Sequence, residues 1–298
     1  MPDSASETSS SSAPLHHVEI DATMEGGGSE TKAHISSSLS GAFTWSSDDR
    51  IAVHTTSGYY TLALSMGAGS GSAVFAGKIE GTRDYYAVYP ASVADAGNYG
   101  DGTLKVNLPT KYYIDNTRSD WKEYYATYSP LPMIARNASS GSLAFKHVGG
   151  LFRLFLDSVP AGTKSITVTA SGNIAGSFTV NTATETPTLS GGSSNMVTFT
   201  FDNALTASTG SVVLTVPVPA ATEGTSYTLA LTLKGSKATY FTYAVSGDNV
   251  SRGGGRMCSV STYSFITNNP ESTVPGIFTV SSGGQKVYIV GPALVKTD

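Results

Sequence analysis

The sequence has little charge, one cysteine and no long hydrophobic run. Asp, Glu, Lys and Arg make up 13% of the 298 residues, about half the usual share of roughly 25%. The formal net charge of -4 offers no basic excess to neutralise a phosphate backbone, so nucleic acid is excluded as a partner. Cys258 has no second cysteine to pair with, and we expect it to be a buried small hydrophobic residue.

Membrane-spanning and leader segments are also missing. No run of about 18 apolar residues is present, so no transmembrane helix is predicted. Residues 1–16 are rich in serine and lack the apolar core of a signal peptide, and we interpret them as a flexible tether. The body has the composition of an exported β protein. A cytosolic protein is the alternative, but we expect a leader that was removed or lies upstream. Membrane attachment is expected only through a lipid anchor not visible in this chain.

The most concentrated apolar run is Leu143–Leu156. Read as a strand it has two apolar faces, and the second face predicts packing against another body, which we expect to be a second domain. A helix with Leu151, Leu154 and Phe155 on one side is the alternative. Gly149-Gly150 and Pro160 leave too short a run for it, so the pattern favours a strand.

Short alternating segments separated by turn residues fill most of the remaining chain, and helical periodicity is almost absent. This pattern predicts an all-β protein. We divide it into an N-terminal β-sandwich over 17–140, a C-terminal β-sandwich over 141–268 and a hairpin tail over 269–298 that turns at Gly283-Gly284. The strands expected in the first half are 43–45, 51–55, 59–64, 74–79, 85–89 and 104–108.

The first strand and the tail are predicted to be separable from the sandwiches. His17–Ala22 alternates like a strand and is followed by the glycine-rich segment 25–30. The tail hairpin would be marginal alone. It should therefore pair with the preceding sandwich, with a further module or with another molecule.

Residues that could carry catalysis do not form a recognisable motif. The five histidines have no neighbouring nucleophile motif, and we expect His147 to make a buried structural hydrogen bond. Asp48-Asp49 favours a turn over a calcium site. We predict a protein that is not an enzyme and that has no cofactor and no metal site.

An aromatic segment over 111–128 is the most suggestive candidate for recognition. Tyrosine and tryptophan offer large, rigid contact area with a polar group. The same side chains could instead cover the open end of the first sandwich, and the sequence leaves both interpretations open. The candidate residues are Tyr112, Tyr113, Trp121, Tyr124, Tyr125 and Tyr128.

Five segments in this order resemble the fimbrillin family of Bacteroidales, surface lipoproteins that include major, minor and tip subunits of type V pili. The resemblance spans most of the chain. The segments are Phe43-Thr44-Trp45 with Asp49-Arg50-Ile51-Ala52-Val53, Tyr85-Tyr86-Ala87-Val88-Tyr89-Pro90, Pro132-Met133-Ile134-Ala135, Phe145-Lys146-His147-Val148-Gly149-Gly150-Leu151 and Asn249-Val250-Ser251-Arg252-Gly253.

The resemblance implies two tandem transthyretin-like Greek-key β-sandwich domains, export to the cell surface, outer membrane or fimbrium, and polymerisation by strand exchange after a protease removes the first strand. The partners would be other pilus subunits or further copies of the chain. The removable strand would include His17, Val18 and Ile20. The donor hairpin would include Ile277, Phe278, Val280, Val287 and Ile289.

Two departures from the family pattern bear on this expectation. The chain has no lipobox cysteine, and Lys32 and Arg50 are the basic residues offered where polymerising members carry an arginine for cleavage. Arg50 is predicted to start a strand. The alternative function is therefore a monomeric surface adhesin or a carbohydrate-binding β-sandwich, with a host protein or glycan as its partner.

Overall fold

A computed structural model describes the chain over residues 14–25, 44–81, 85–100, 102–122, 131–137, 142–184, 186–220, 225–233, 243–247, 250, 252–260, 267–268, 277–282, 285–290 and 293–296. Strands dominate these residues, which confirms the all-β fold class. Among the described residues, none belongs to a helix that is long and apolar enough to cross a membrane.

The strands are numbered in chain order. They are β1 His16–Met24, β2 Arg50–Thr55, β3 Gly58–Met66, β4 Ser72–Ile79, β5 Tyr85–Tyr89, β6 Ala94–Gly100, β7 Thr103–Leu108, β8 Lys111–Ile114, β9 Met133–Asn137, β10 Ser142–His147, β11 Gly150–Leu156, β12 Thr163–Ala170, β13 Gly176–Asn181, β14 Leu189–Gly191, β15 Met196–Phe201, β16 Val212–Val218, β17 Thr225–Leu233, β18 Tyr243–Gly247, β19 Gly255–Val260, β20 Thr267–Asn268, β21 Ile277–Ser282, β22 Gln285–Val290 and β23 Ala293–Lys296. Two short 3₁₀ turns cover Ala91–Val93 and Ala207–Thr209.

The first half of the chain builds a closed barrel in the order β1-β10-β9-β5-β2-β3-β4. Closing a sheet on itself leaves no exposed strand edge. The barrel interior is packed with apolar side chains, the largest of them aromatic. They include Ile20, Trp45, Ile51, Val53, Leu62, Phe75, Ile79, Tyr89, Leu143 and Phe145.

Two further cores lie outside the barrel. The outer face of β2, β5 and β9 packs against the sheet β14-β13-β7-β6, so these barrel strands are buried on both faces. The sheets β16-β11-β19 and β18-β17-β12-β15-β8 enclose a separate core. Buried side chains alternate with less buried ones along β7, β13 and β15, as the two-residue side-chain period requires.

The central apolar run forms two strands, β10 and β11, interrupted at Val148-Gly149. Both faces of β11 are mostly buried as predicted, and even Arg153 is only 3% exposed. The interruption is tight because a Cβ on Gly149 would lie 2.4 Å from the Val218 carbonyl oxygen. The predicted strand interpretation is therefore confirmed over the helix.

Strand pairing crosses the predicted domain boundary at 140/141 in four places. β10 pairs with β1 and β9, β13 pairs with β7, and β8 pairs with β15. The boundary therefore does not coincide with a break in hydrogen bonding. Pairing between segments so distant in sequence is decided by three-dimensional closure rather than by local pattern.

Trp45 does not lie in a strand, contrary to the strand predicted at 43–45; residue 43 lies outside the described residues. Its backbone N–H instead donates to the Ser70 carbonyl at 2.8 Å in a loop. Its fully buried ring packs edge-on at 5.0 Å from Phe75 and 5.5 Å from Phe145. The ring packs in the barrel interior, and burial of the ring outweighs the local pattern that predicts a strand.

The tail forms the predicted hairpin, with Ser282 opposite Gln285 across the turn. β20 and β23 extend it to a four-stranded sheet in the order β20-β21-β22-β23. The two hairpin strands therefore have pairing partners on both sides within the chain.

Candidate functional site

The first strand, β1, closes the barrel between two strands that come from distant parts of the chain. It pairs antiparallel with β4 over eight positions, from His16 opposite Ile79 to Thr23 opposite Ser72. It pairs parallel with β10 over four positions, ending with Met24 opposite Phe145. Removal of β1 would therefore expose two strand edges at once.

Side chains of β1 alternate between the barrel interior and the surface. Ile20 and Ala22 are 2% and 1% exposed, and Met24 is also buried. Asp21 and Thr23, which lie between them, are exposed, as is Glu19 before them. This alternation is the predicted one, and it means that loss of β1 would uncover an apolar groove as well as the strand edges.

Glu25, the residue that follows β1, is held by both its backbone and its side chain. Its backbone N–H donates to the Phe145 carbonyl at 2.8 Å. Its carbonyl oxygen lies 3.1 Å from His147 Nε2, and its Oε2 accepts a hydrogen bond from the His147 backbone N–H at 3.1 Å. The end of β1 is thus fixed to the end of β10.

Arg252 completes this anchor from the segment that precedes β19. Its Nη2 donates to Glu25 Oε1 at 2.7 Å, and its Nη1 donates to Glu25 Oε2 and, at 2.9 Å, to the His147 carbonyl. Bidentate guanidinium–carboxylate pairs are among the stronger hydrogen-bonded contacts in proteins. We name Glu25, His147 and Arg252 the β1 anchor.

The charges of the β1 anchor stabilise one another. Hydrogen bonding to Arg252 is the main reason that the pKa of Glu25 lies below its ordinary value. The same contact raises the pKa of Arg252. Both groups therefore favour their charged forms in the folded chain.

His147 is buried among these charges with only 3% of its surface exposed. Desolvation lowers its pKa to about 4, although the Glu25 carboxylate opposes the shift. The imidazole is consequently neutral near pH 7. The structure gives His147 the buried structural hydrogen bond that the sequence predicts.

Gly253 allows the anchor segment to approach β10 closely. Its φ of +70° lies in the region that favours glycine, and its N–H donates to the Gly149 carbonyl at 2.8 Å. A Cβ at this position would lie 2.9 Å from His147 Cδ2. A side chain at 253 would therefore push against the imidazole.

The aromatic segment divides between core and surface. Tyr112 stacks on Phe199 at 5.0 Å, and Trp121 packs edge-on against Phe201 at 6.0 Å. Both are partly buried against the second-half core, whereas Tyr113 is 70% exposed. The remaining candidates Tyr124, Tyr125 and Tyr128 lie outside the described residues.

A shallow cleft of about 310 Å³ opens beside Trp121. Asn116 and Asn203 form two reciprocal hydrogen bonds at its wall, of 2.9 and 2.8 Å. Lys122 lies over the indole ring at 5.8 Å and donates to the Thr209 carbonyl. The wall thus combines an aromatic ring with amide and hydroxyl groups.

The other predicted site residues lie in β1, in β2 and in the tail strands, except for one that is outside the described residues. Arg50 begins β2, is exposed and pairs with Ala63, while Lys32 lies outside the described residues. His17, Val18 and Ile20 lie in β1. The tail candidates lie in β21 (Ile277, Phe278 and Val280) and β22 (Val287 and Ile289).

Glu25 and Arg252 were not among the predicted site residues. Glu25 lies in the glycine-rich segment that the sequence predicts to follow the first strand. Arg252 precedes Gly253-Gly254-Gly255, which the sequence favours as a flexible loop over an anion cradle. Their opposite charges were visible in a chain poor in charge, but no local pattern joins residues 227 positions apart. Within the described part of the chain, no group of three or more His, Cys, Asp or Glu side chains could hold a metal ion.

Comparison with known proteins gives distant structural matches. No family model matches the sequence, and no curated protein matches it. A candidate cell adhesion protein from Bacteroides ovatus is similar over 85% of this chain and 97% of its own, with 14% identity and a TM-score of 0.44. A fimbrial assembly protein from Parabacteroides distasonis is similar over 95% and 100%, with 9% identity and a TM-score of 0.37. The tip fimbrial protein Mfa3 from Porphyromonas gingivalis is similar over 87% and 97%, with 12% identity and a TM-score of 0.28.

Proposed function

We propose that the chain is a non-enzymatic subunit of a cell-surface fibre or adhesive structure that assembles by exchange of β1. The observation that carries this proposal is the position of β1, which closes the barrel between β4 and β10 and is separated from β2 by residues 25–49. A cut in that segment would leave β1 attached by packing and hydrogen bonds alone. A strand from a neighbouring molecule could then replace it by β-augmentation.

The groove left by β1 would attract a new strand strongly. The β4 and β10 edges would each present unpaired backbone groups, and burying these without partners is costly. The apolar groove that receives Ile20 and Met24 would face water. An incoming strand with apolar residues at every second position would satisfy both demands.

The site of maturation belongs to the same proposal. A cut at Lys32 would fall between β1 and β2 and leave the remaining barrel strands intact. Arg50 is a poorer cleavage candidate because it lies in β2 and its backbone is paired with Ala63 of β3. The neighbouring subunit could be a different protein or a further copy that offers its hairpin β21–β22, and attachment to the outer membrane would come through a lipid anchor.

A nicked full-length chain tests this function. A protease site is inserted within residues 26–43, the chain is cut, and a labelled peptide of residues 14–25 is added. The proposal expects the peptide to displace β1 from the groove. A nicked chain that keeps its own strand and takes up no peptide contradicts the proposal.

The cleft beside Trp121 supports a second candidate function, recognition of a small polar ligand such as a sugar. Its volume of about 310 Å³ lies at the lower end of the range for ligand sites. A glycan array probed with the wild-type chain and with Asn116→Ala tests it. Loss of a bound glycan in the variant supports recognition, and Tyr113→Ala serves as a control for non-specific aromatic contact. Absence of any glycan binding by the wild-type chain contradicts it.

A further inference from the structure

The apolar pattern of β1 does not by itself specify where a strand stops in the groove. Inward positions recur at Val18, Ile20, Ala22 and Met24. A one-residue slip would turn these side chains to the surface, but a two-residue slip returns apolar residues to the interior. A second device is needed to choose one register among those that differ by two residues.

The Glu25 carboxylate supplies such a device because its partners occupy fixed positions. Arg252 and the His147 backbone N–H both donate to it. His147 ends β10, and Arg252 is held by its own hydrogen bond to the His147 carbonyl at 2.9 Å. A carboxylate two residues earlier or later along β1 would miss these donors by about 6–7 Å, the length of two residues in a strand.

We infer that the end of the β1 groove is a carboxylate-binding site that sets strand register, and that the strand which replaces β1 carries an acidic residue directly after its last inward apolar residue. This inference rests on the proposed strand exchange and names the chemistry of the partner. Polar groups that fix register at a cost in stability have precedent in packed helices. Here the device lies at a strand end, where Glu25 retains partial exposure.

The tail hairpin of this chain does not meet the requirement. Residues 277–290 include neither aspartate nor glutamate. A copy of β21 or β22 in the groove would leave Arg252 without its carboxylate partner. The groove therefore favours an acidic strand of a different protein over the hairpin of a second copy.

Peptide competition on the nicked full-length chain tests the inference. The probes are a peptide of residues 14–25 and the same peptide with Glu25→Gln, each measured on the wild-type chain and on Arg252→Gln. We expect the native peptide to bind the wild-type chain about tenfold more tightly than the Gln peptide, as for one charge-assisted contact. We expect no difference between the two peptides on Arg252→Gln.

Disulfide cross-linking measures the register of the bound peptide separately from its affinity. Peptides that carry Thr23→Cys are allowed to form a disulfide with Ser72→Cys or with Val74→Cys, in a chain with Cys258→Ser. The native peptide should cross-link at Ser72, its observed partner, whereas the Gln peptide should divide between the two sites. A simple structural role for Glu25 would change affinity without changing this ratio.

The outcomes separate the two proposals. If neither peptide enters the groove, strand exchange itself is contradicted. Entry of both peptides with equal affinity and equal register leaves strand exchange standing and overturns the carboxylate site. A hairpin-strand peptide of residues 284–291 serves as an acid-free control, and its binding should be unaffected by Arg252→Gln.

Discussion

Arg252 forms a bidentate ion pair with Glu25 across 227 residues of sequence, with Nη2 and Oε1 at 2.7 Å. The pair joins the residue that follows the first strand to the segment before β19, near the end of the second-half core. It therefore links the position of β1 to a part of the chain that does not pair with β1.

Loss of the Glu25–Arg252 contact should destabilise the chain through one shared interaction. Glu25→Gln and Arg252→Gln should each lower the free energy of unfolding, and the double variant should lose little more than either single variant. The coupling should be about 1 kcal/mol, the upper part of the range for partly exposed pairs. Urea unfolding of the four proteins measures it.

The control for this cycle is the Arg118–Asp120 pair, which has similar bidentate geometry but lies on the surface. Asp120→Asn should leave stability unchanged within measurement error because exposed pairs are screened by solvent. Equal effects at both pairs would show that burial contributes nothing to the β1 anchor.

Stability should fall as the pH drops from about 6.5 toward 4. The pKa of His147 is about 4 in the folded chain, so the unfolded chain binds this proton more strongly and acid favours unfolding. The contribution of His147 to the free energy of unfolding should be almost fully present at pH 7. It should be reduced by about 2 kcal/mol at pH 5 and lost below pH 4. The lowered pKa of Glu25 adds a loss in the same direction below its ordinary value of 4.5.

A His147→Gln variant isolates this effect. Its amide can still donate toward the Glu25 carbonyl but does not titrate. We expect a flatter profile of unfolding free energy between pH 7 and 5 than in the wild-type chain. A His147→Gln profile that overlays the wild-type profile would contradict this effect.

Gly253→Ala should destabilise the chain more than alanine at another glycine with positive φ. The backbone cost of about 1–2 kcal/mol is shared with Gly69→Ala, where φ is +79° and no atom lies near the new methyl group. Only at 253 does the methyl group also contact His147. Thermal unfolding of both variants measures the difference, and equal losses would contradict the close approach.

The sequence was sufficient for the strand pattern but not for the contacts between distant strands. The alternation of β1 was readable because each inward residue, such as Ile20, alternates with a charged one. The tail hairpin was readable because Gly283-Gly284 separates two β-rich segments. These are local signals, with periods of two residues and turns of two residues.

Long-range features depend on closure of the whole fold. The pairing of β8 with β15 places Tyr112 against Phe199, so Tyr112 packs against the second-half core while its neighbour Tyr113 stays exposed. Trp45 lies in a loop instead of the expected strand because its ring packs in the barrel interior. The Glu25–Arg252 contact exists only because β1 and the segment before β19 meet beside His147.

Trp121 should matter more for stability than for surface chemistry. Trp121→Ala removes the contact with Phe201 and should cost about 3 kcal/mol, somewhat less than a fully buried tryptophan. Tyr113→Ala, at a side chain 70% exposed, should cost little. Equal small effects in chemical unfolding would contradict the placement of Trp121 against the core.

A disulfide lock between β1 and β4 tests whether β1 has to leave the barrel before another strand can enter. Thr23→Cys and Ser72→Cys lie opposite each other on exposed positions of β1 and β4, and Cys258→Ser removes the native thiol. After a cut within residues 26–43, the oxidised chain should take up no labelled peptide of residues 14–25, and reduction should restore peptide uptake. Peptide uptake that is equal with the lock closed would show that β1 does not have to leave the barrel, and would contradict assembly by strand exchange.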